Sequence, residues 1–310
     1  MAQARLLADA QRWIGPRHGR GALDLAGRLP NLVVSAREIA GSMMQGVHGR
    51  RRAGTGESFW QFRPFVSGEA AVGIDWRRSA RDDRTYIRER EWEAAHTVWI
   101  WVDRSPSMAY MSELASQPKL DRALVLGLAA ADLLVRGGER VGIPGLVRPM
   151  ARRTIVDHLA ESMLVEMRRS GYVPAELPPA VPLPPRSRAL FIGDWLSDVD
   201  DVTRAIATAA SAGAGGHLVM ISDPIEETFP FTGHVELTDS DGPTRMRIGE
   251  AQQLRADYVK RLAAHREVIR QTCRLHGWTV AIHRTDRPAS EAMLTIAGAF
   301  EADRRNGGQV

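Results

Sequence analysis

This 310-residue chain predicts an α/β fold: a mostly parallel central sheet flanked by helices, with a smaller N-terminal extension of helix and strand. Three observations carry that reading. Short unbroken apolar runs recur at 97–102, 188–193 and 217–222, and runs of this kind read as strands covered on both faces. Each run is followed by apolar residues at helical spacing, and alternating strands and helices build a parallel sheet. The runs also stop abruptly, at Asp103, Asp194 and Asp223.

Taken in order, Leu6, Leu7, Ala10, Trp13 and Ile14 share one helical face, predicting an amphipathic helix over 3–14 that Gly15-Pro16 ends. Asn31 is placed to cap a second helix carrying Val33, Ala36, Ile39, Ala40, Met43 and Val47. Gly54 to Gly56 reads as a turn, and Phe59 to Phe65 as extended structure. Residues 74–90 mix apolar positions with Arg77, Arg78, Arg81, Arg84, Arg88 and Arg90. These arginines either pair with the neighbouring acids Asp75, Asp82, Asp83, Glu89 and Glu91 or form a docking face, since guanidinium forks carboxylates.

After the first buried strand, Leu120, Leu124, Leu128, Ala131 and Val135 mark a largely buried helix that Gly137-Gly138 terminates. Val141 to Val147 is strand broken by Pro144 and Gly145, and Ile155, Leu159, Met163 and Met167 form a helical stripe after Thr154. Pro174 to Pro185 is a stiff, proline-rich connector. Val235-Glu-Leu is a candidate edge strand. A long helix carries Leu254, Tyr258, Leu262, His265, Ile269 and Cys273, a last strand spans 278–283, and a final helix starts near Ser290. The domain reading is an N-terminal extension over 1–95, a main domain over 96–302 and a disordered tail over 303–310.

Composition narrows the function classes. Hydrophobic content of 44% and charged content of 25% are ordinary for a soluble globular protein. The single cysteine, Cys273, excludes an intramolecular disulfide and a multi-cysteine metal site. The net charge of +4 is almost wholly arginine, because lysine occurs only at Lys119 and Lys260. With abundant alanine and glycine, that pattern reads as coding bias rather than a nucleic-acid surface, and Arg50-Arg51-Arg52 as a solvated loop. The longest apolar stretch, Ala123 to Val135, contains Asp132 and falls short of the ~20 residues a membrane span needs. No basic region followed by an apolar core opens the chain, so the expected location is cytoplasmic.

The chemistry concentrates at Asp103-Arg-Ser-Pro-Ser107. Ligands of open α/β sheets bind past the carboxyl ends of strands. Asp103, Ser105 and Ser107 offer a carboxylate and two hydroxyls there, a set that suits an oxygen-seeking cation such as Mg²⁺. The same residues also make a plain strand-end turn. Asp194 ends another predicted strand, and two strands of one parallel sheet can bring it beside Asp103.

The pentapeptide resembles the metal-ion-dependent adhesion site of von Willebrand factor A domains. Its flanks, Arg63-Pro-Phe-Val-Ser-Gly-Glu69, Ile74-Asp-Trp-Arg-Arg-Ser-Ala-Arg81, Arg88-Glu-Arg-Glu91, Ile221 to Phe231 and Thr285-Asp-Arg-Pro288, resemble the DUF58 family. These are bacterial proteins with a von Willebrand factor A-like domain, typically encoded beside MoxR-type AAA+ ATPases. The resemblance runs roughly from Leu29 to Gly298. It implies a von Willebrand factor A-like (Rossmann-like) fold and Asp194 as the distant metal carboxylate, with Asp198 as the fallback. It also implies a threonine ligand from a middle loop. Thr154 is placed for that role, but Arg152-Arg153 stand before it where typical domains have glycines, and helix capping is its other reading.

The expected function is a non-enzymatic, Mg²⁺-dependent protein-interaction module, a chaperone-like adaptor or partner of a MoxR-type ATPase. Asp103, Ser105, Ser107, Thr154 and Asp194 would hold the ion and receive an acidic side chain of a protein ligand. Arg77, Arg78 and Arg81 are the candidate partner-binding residues. No Gly-x-Ser-x-Gly elbow, Walker A loop or His-Glu-x-x-His motif is present, and the nine histidines are scattered. The enzymatic rival is a Mg²⁺-dependent phosphatase or phosphotransferase with Asp103 as nucleophile. Ser105 stands where such an enzyme has a second aspartate.

Overall fold

The protein, as a computed structural model, is described over residues 18–48, 59–67, 69–81, 84–90, 96–238 and 245–307. It divides into two units, one of residues 1–44 with 96–310 and one of residues 45–95.

The large unit is built on a six-stranded sheet of β3 (Thr97–Val102), β4 (Arg140–Ile143), β5 (Val147–Met150), β6 (Arg188–Gly193), β7 (Gly215–Ser222) and β10 (Thr279–Arg284), in the order β10-β7-β6-β3-β4-β5. Every neighbouring pair is parallel except β4 and β5, which form an antiparallel edge hairpin where Pro144 and Gly145 interrupt the apolar run. Central parallel strands lie between helical layers, which is why β3 and β6 read as continuous apolar runs. Leu190 and Ile192 are 0% exposed.

One face is covered by α1 (His18–His48), α3 (Lys119–Arg136), α4 (Ile155–Met167) and α8 (Ala289–Gly307), whose buried side chains share a core with Val98, Ile100, Val102 and Ile192. The helix α3 lies close to the sheet at Gly127, where a Cβ would stand 2.9 Å from a methyl of Val102. The other face is covered by α5 (Val199–Ala210) and α7 (Ala251–Leu275) through Val202, Ile206, Ile269 and Cys273. Its centre is aromatic: Trp101, Phe191, Trp195 and Trp278 stack edge-on or tilted with centroids 5.3–6.1 Å apart.

The small unit contains an antiparallel pair, β1 (Phe59–Pro64) with β2 (Tyr86–Arg90), and the one-turn helix α2 (Trp76–Ser79). Asp75 caps α2 by accepting the Arg78 backbone N–H at 2.9 Å. The Arg63 guanidinium forks the Glu69 carboxylate at 2.7 and 2.9 Å.

Several expectations are corrected. A single helix, α1, runs through Pro30 instead of starting at Asn31. Its stripe of Leu25, Leu29, Leu32, Val33, Ala36, Ala40 and Met43 continues on both sides of the proline and is buried throughout. Each buried Leu or Val stabilises by about 1.5–3 kcal/mol, which offsets the ~3 kcal/mol that an interior proline costs. A unit boundary does fall at residue 95, but the extension does not reach back to residue 1: α1 shares the core of the large unit, and the small unit is residues 45–95.

Of the tail expected to be disordered, residues 303–307 are helical, with Asp303 paired to Arg188 and 3.1 Å from His217; residues 308–310 lie outside the described residues. Finally, β8 (Val235–Thr238) is not an edge of the central sheet. It pairs with β9 (Arg245–Ile248) in a separate antiparallel ribbon. The helix expected at 3–14 and the turn expected at Gly54–Gly56 lie outside the described residues.

Candidate functional site

The register of β3 against β6 places Val102 opposite Ile192, so Asp103 leaves β3 beside Gly193, the last residue of β6. The Asp103 N–H still donates to the Ile192 carbonyl at 2.8 Å. One residue further, Asp194 emerges from β6 at the same rim. Pro106 then opens a 3₁₀ turn over Pro106–Ala109, which folds the serines back over the strand ends.

The polar atoms form a chain. The Ser105 N–H donates to Asp103 Oδ1 at 2.8 Å, the Ser105 and Ser107 hydroxyls are 3.0 Å apart, and Ser107 Oγ donates to Asp194 Oδ2 at 2.7 Å. Asp103 and Ser105 are 1% and 2% exposed. The structure thus brings Asp103, Ser105, Ser107 and Asp194 into one cluster. Thr154 is exposed at the N-cap of α4 and makes no capping hydrogen bond. Asp198 caps α5 through the Asp200 N–H at 2.9 Å, the structural role that its position in the loop suggested.

A cation that sequence reasoning left unassigned completes the cluster. Lys119, the first residue of α3, is 1% exposed, and its Nζ lies 2.9 Å from Asp194 Oδ2 and 2.6 Å from Glu226 Oε1. Glu226 stands on the short helix α6 (Pro224–Thr228), where its other oxygen accepts the Asp223 N–H at 2.8 Å in a capping box. Asp223, at the end of β7, accepts the Ser112 and Ile225 N–H groups. Three adjacent strand ends therefore feed one buried polar network. The available signal was compositional: Lys119 is one of two lysines in a chain that otherwise uses arginine.

The charges are unequal in their comfort. Burial, followed by repulsion from Asp194, pushes the Asp103 carboxyl up to about 7. Burial also opposes ionisation of Asp194, but the Lys119 ammonium, the Ser107 hydroxyl and the Leu196 N–H outweigh it and hold Asp194 below the usual carboxylate range. Burial dominates at Glu226 and raises it despite Lys119. Lys119 itself is held charged, because Asp194 and Glu226 outweigh its desolvation.

The donor chemistry fits a hard divalent cation in type: two carboxylates and two hydroxyls, all oxygen. Gly193 keeps the ground beside Asp103 clear, since a Cβ there would stand 3.2 Å from Asp103 Oδ2. Among the described residues no cluster of three or more His, Cys, Asp or Glu side chains is placed to hold a metal, so any such site depends on the serines. Lys119 already occupies one face of Asp194.

The candidate docking residues Arg77, Arg78 and Arg81 are exposed in the small unit. The Arg78 guanidinium lies 5.3 Å from the Tyr86 ring centroid and 5.8 Å from that of Phe62. Cation–π contact of this kind fixes a guanidinium without consuming its donors.

Residues 61–268 match the family model described as "Protein of unknown function DUF58". The chain belongs to the DUF58 family. This DUF58 protein is also similar to the uncharacterized proteins Rv1480 of Mycobacterium tuberculosis (strain ATCC 25618 / H37Rv) and Mb1516 of Mycobacterium bovis (strain ATCC BAA-935 / AF2122/97). Each is 26% identical over 306 residues, covering 93% of both chains. No solved structure gives a significant match. Among the described residues of this DUF58 protein, no helix is long and apolar enough to cross a membrane.

Proposed function

We propose that this protein is a non-enzymatic interaction module with a von Willebrand factor A-like main domain, which recognises an acidic side chain of a protein partner through a divalent cation. The observation that carries the reading is the convergence of Asp103, Ser105, Ser107 and Asp194 at the carboxyl ends of β3 and β6. The parallel sheet order around them supports the fold reading. Asp103, Asp194 and the two serine hydroxyls would hold the ion, with Thr154 outside the set. When bound, the ion supplies positive charge and an electrophilic contact for a carboxylate.

The chain's own residues do the remaining work. The 3₁₀ turn after Pro106 orients both hydroxyls, Lys119 neutralises Asp194 while no ion is bound, and the buried strand ends exclude bulk water from Asp103. The partner that family resemblance suggests is a MoxR-type AAA+ ATPase, and the exposed arginines Arg77, Arg78 and Arg81 offer it a second, charge-based contact.

The test is a pull-down of a MoxR-type ATPase encoded by the same genome, in Mg²⁺ and in excess chelator. Capture should require Mg²⁺, fail for Asp103→Ala, and weaken for the pair Arg77→Glu and Arg81→Glu. Equal capture in chelator and by Asp103→Ala would overturn the reading. Phosphate release from a generic phosphomonoester in Mg²⁺, lost in Asp103→Asn, would instead favour the phosphotransfer rival.

A further inference from the structure

Lys119 has two carboxylates within reach and only one of them belongs to the candidate cation site. Its backbone is fixed at the start of α3, where its N–H donates to the Tyr110 carbonyl at 3.2 Å, and its ammonium lies 5.9 Å from the Tyr110 ring centroid. Asp194 Oδ2 is shared between Ser107 at 2.7 Å and Lys119 at 2.9 Å, while Asp194 Oδ1 accepts the Leu196 N–H. Glu226 Oε1 takes the same ammonium at 2.6 Å, and the capping box holds Glu226 in place independently of the lysine. The ammonium thus bridges the buried Asp194 and the half-buried Glu226, with the buried Asp103 in the same polar cluster. A bare buried carboxylate is costly, so an unfilled site needs a resident positive charge.

We propose that Lys119 is a tethered cation that competes with a divalent ion for Asp194, and that Glu226 is the carboxylate to which its ammonium withdraws when the ion binds. The inference deepens the cation-site reading and rests on it. In the ion-free state Lys119 neutralises Asp194. In the loaded state Lys119 pairs with Glu226 alone, and Asp194 Oδ2 turns to the ion. The lysine thereby lowers the affinity of the site and keeps the protein folded without metal.

The two partners of the lysine give opposite expectations, which a merely structural role does not. Equilibrium Mn²⁺ binding, read from the electron paramagnetic resonance of free Mn²⁺, is measured on the full chain. Lys119→Met should bind Mn²⁺ tighter by about tenfold or more, because the competitor is gone. Glu226→Gln should bind it more weakly by a similar factor, because Lys119 loses its alternative carboxylate. The Lys119→Met, Glu226→Gln double variant should follow Lys119→Met, and it carries the same expectation should the single variant fail to fold.

Equal Mn²⁺ affinity of the wild type and both lysine-lacking variants would overturn the competition while leaving the cation site intact. A shift of Lys119→Met and Glu226→Gln in the same direction would also overturn it. Absence of Mn²⁺ binding at millimolar concentration in every form would remove the cation-site reading itself, and the inference with it.

Discussion

Asp103 and Gly193 face each other across the ends of β3 and β6 so closely that a Cβ on Gly193 would stand 3.0 Å from the Asp103 Cβ and 3.2 Å from its Oδ2. The glycine is therefore part of the site without contributing a polar side chain. Gly193→Ala adds one methyl beside Asp103 and removes no oxygen from the cluster. The expected result is a folded protein whose Mn²⁺ affinity falls by about tenfold, as Asp103 is pushed out of line, with a stability cost of about 1–3 kcal/mol. Binding measured beside a thermal melt separates the two effects. Unchanged binding would place the ion away from Asp103.

The environment of Asp103 fixes a sign for the pH dependence of stability. Its carboxyl is raised from the ordinary 3.8 to about 7 by burial and by Asp194. The native state therefore holds this proton more tightly than the unfolded chain. The resulting stabilisation is fully present below pH 3.8 and is lost as pH rises through about 7. In chelator, Asp103→Asn should remove this loss, since Asn cannot ionise and keeps an oxygen for the Ser105 N–H. The variant should melt above the wild type at pH 8, by about 2–4 °C for each kcal/mol recovered, with an advantage that shrinks as pH falls through about 7 and vanishes below 3.8. Thermal melts across that range check it.

The far side of the sheet has its own close approach. A Cβ on Gly216 would meet the Trp278 ring at 2.5 Å, and Trp278 is pinned by its indole N–H to the Ala214 carbonyl at 2.8 Å. Gly216→Ala should cost at least about 1–3 kcal/mol, because the ring cannot turn away without losing that bond. Chemical denaturation monitored by tryptophan fluorescence reads the cost.

The central strands and the helices that cover them were legible because buried parallel strands need nearly continuous apolar runs, and 98–102 and 189–193 supply them. The convergence of Asp103 and Asp194 followed from the same logic, since both end strands of one parallel sheet. Helix α1 was harder to read, because Pro30 is a strong local stop signal and only tertiary burial of Leu25 and Leu29 overrides it.

Lys119 was invisible in its role for a different reason. Lysines at helix starts are ordinarily solvated, and nothing local announces that Glu226, over a hundred positions away in the chain, closes over this one. Thr154 could be placed before a helix by pattern alone, but the direction of its side chain could not. The exposed arginines of the small unit were legible as a charged segment, whereas the stacking of Arg78 on Tyr86 required the β1–β2 pairing.

The most direct test of the account is calorimetric titration of Mg²⁺ into the full-length protein and into Asp103→Ala. The account predicts one saturable site per chain in the wild type and none in the variant, with both proteins folded by circular dichroism. Identical heats for the two proteins, whether both bind or neither does, would contradict it.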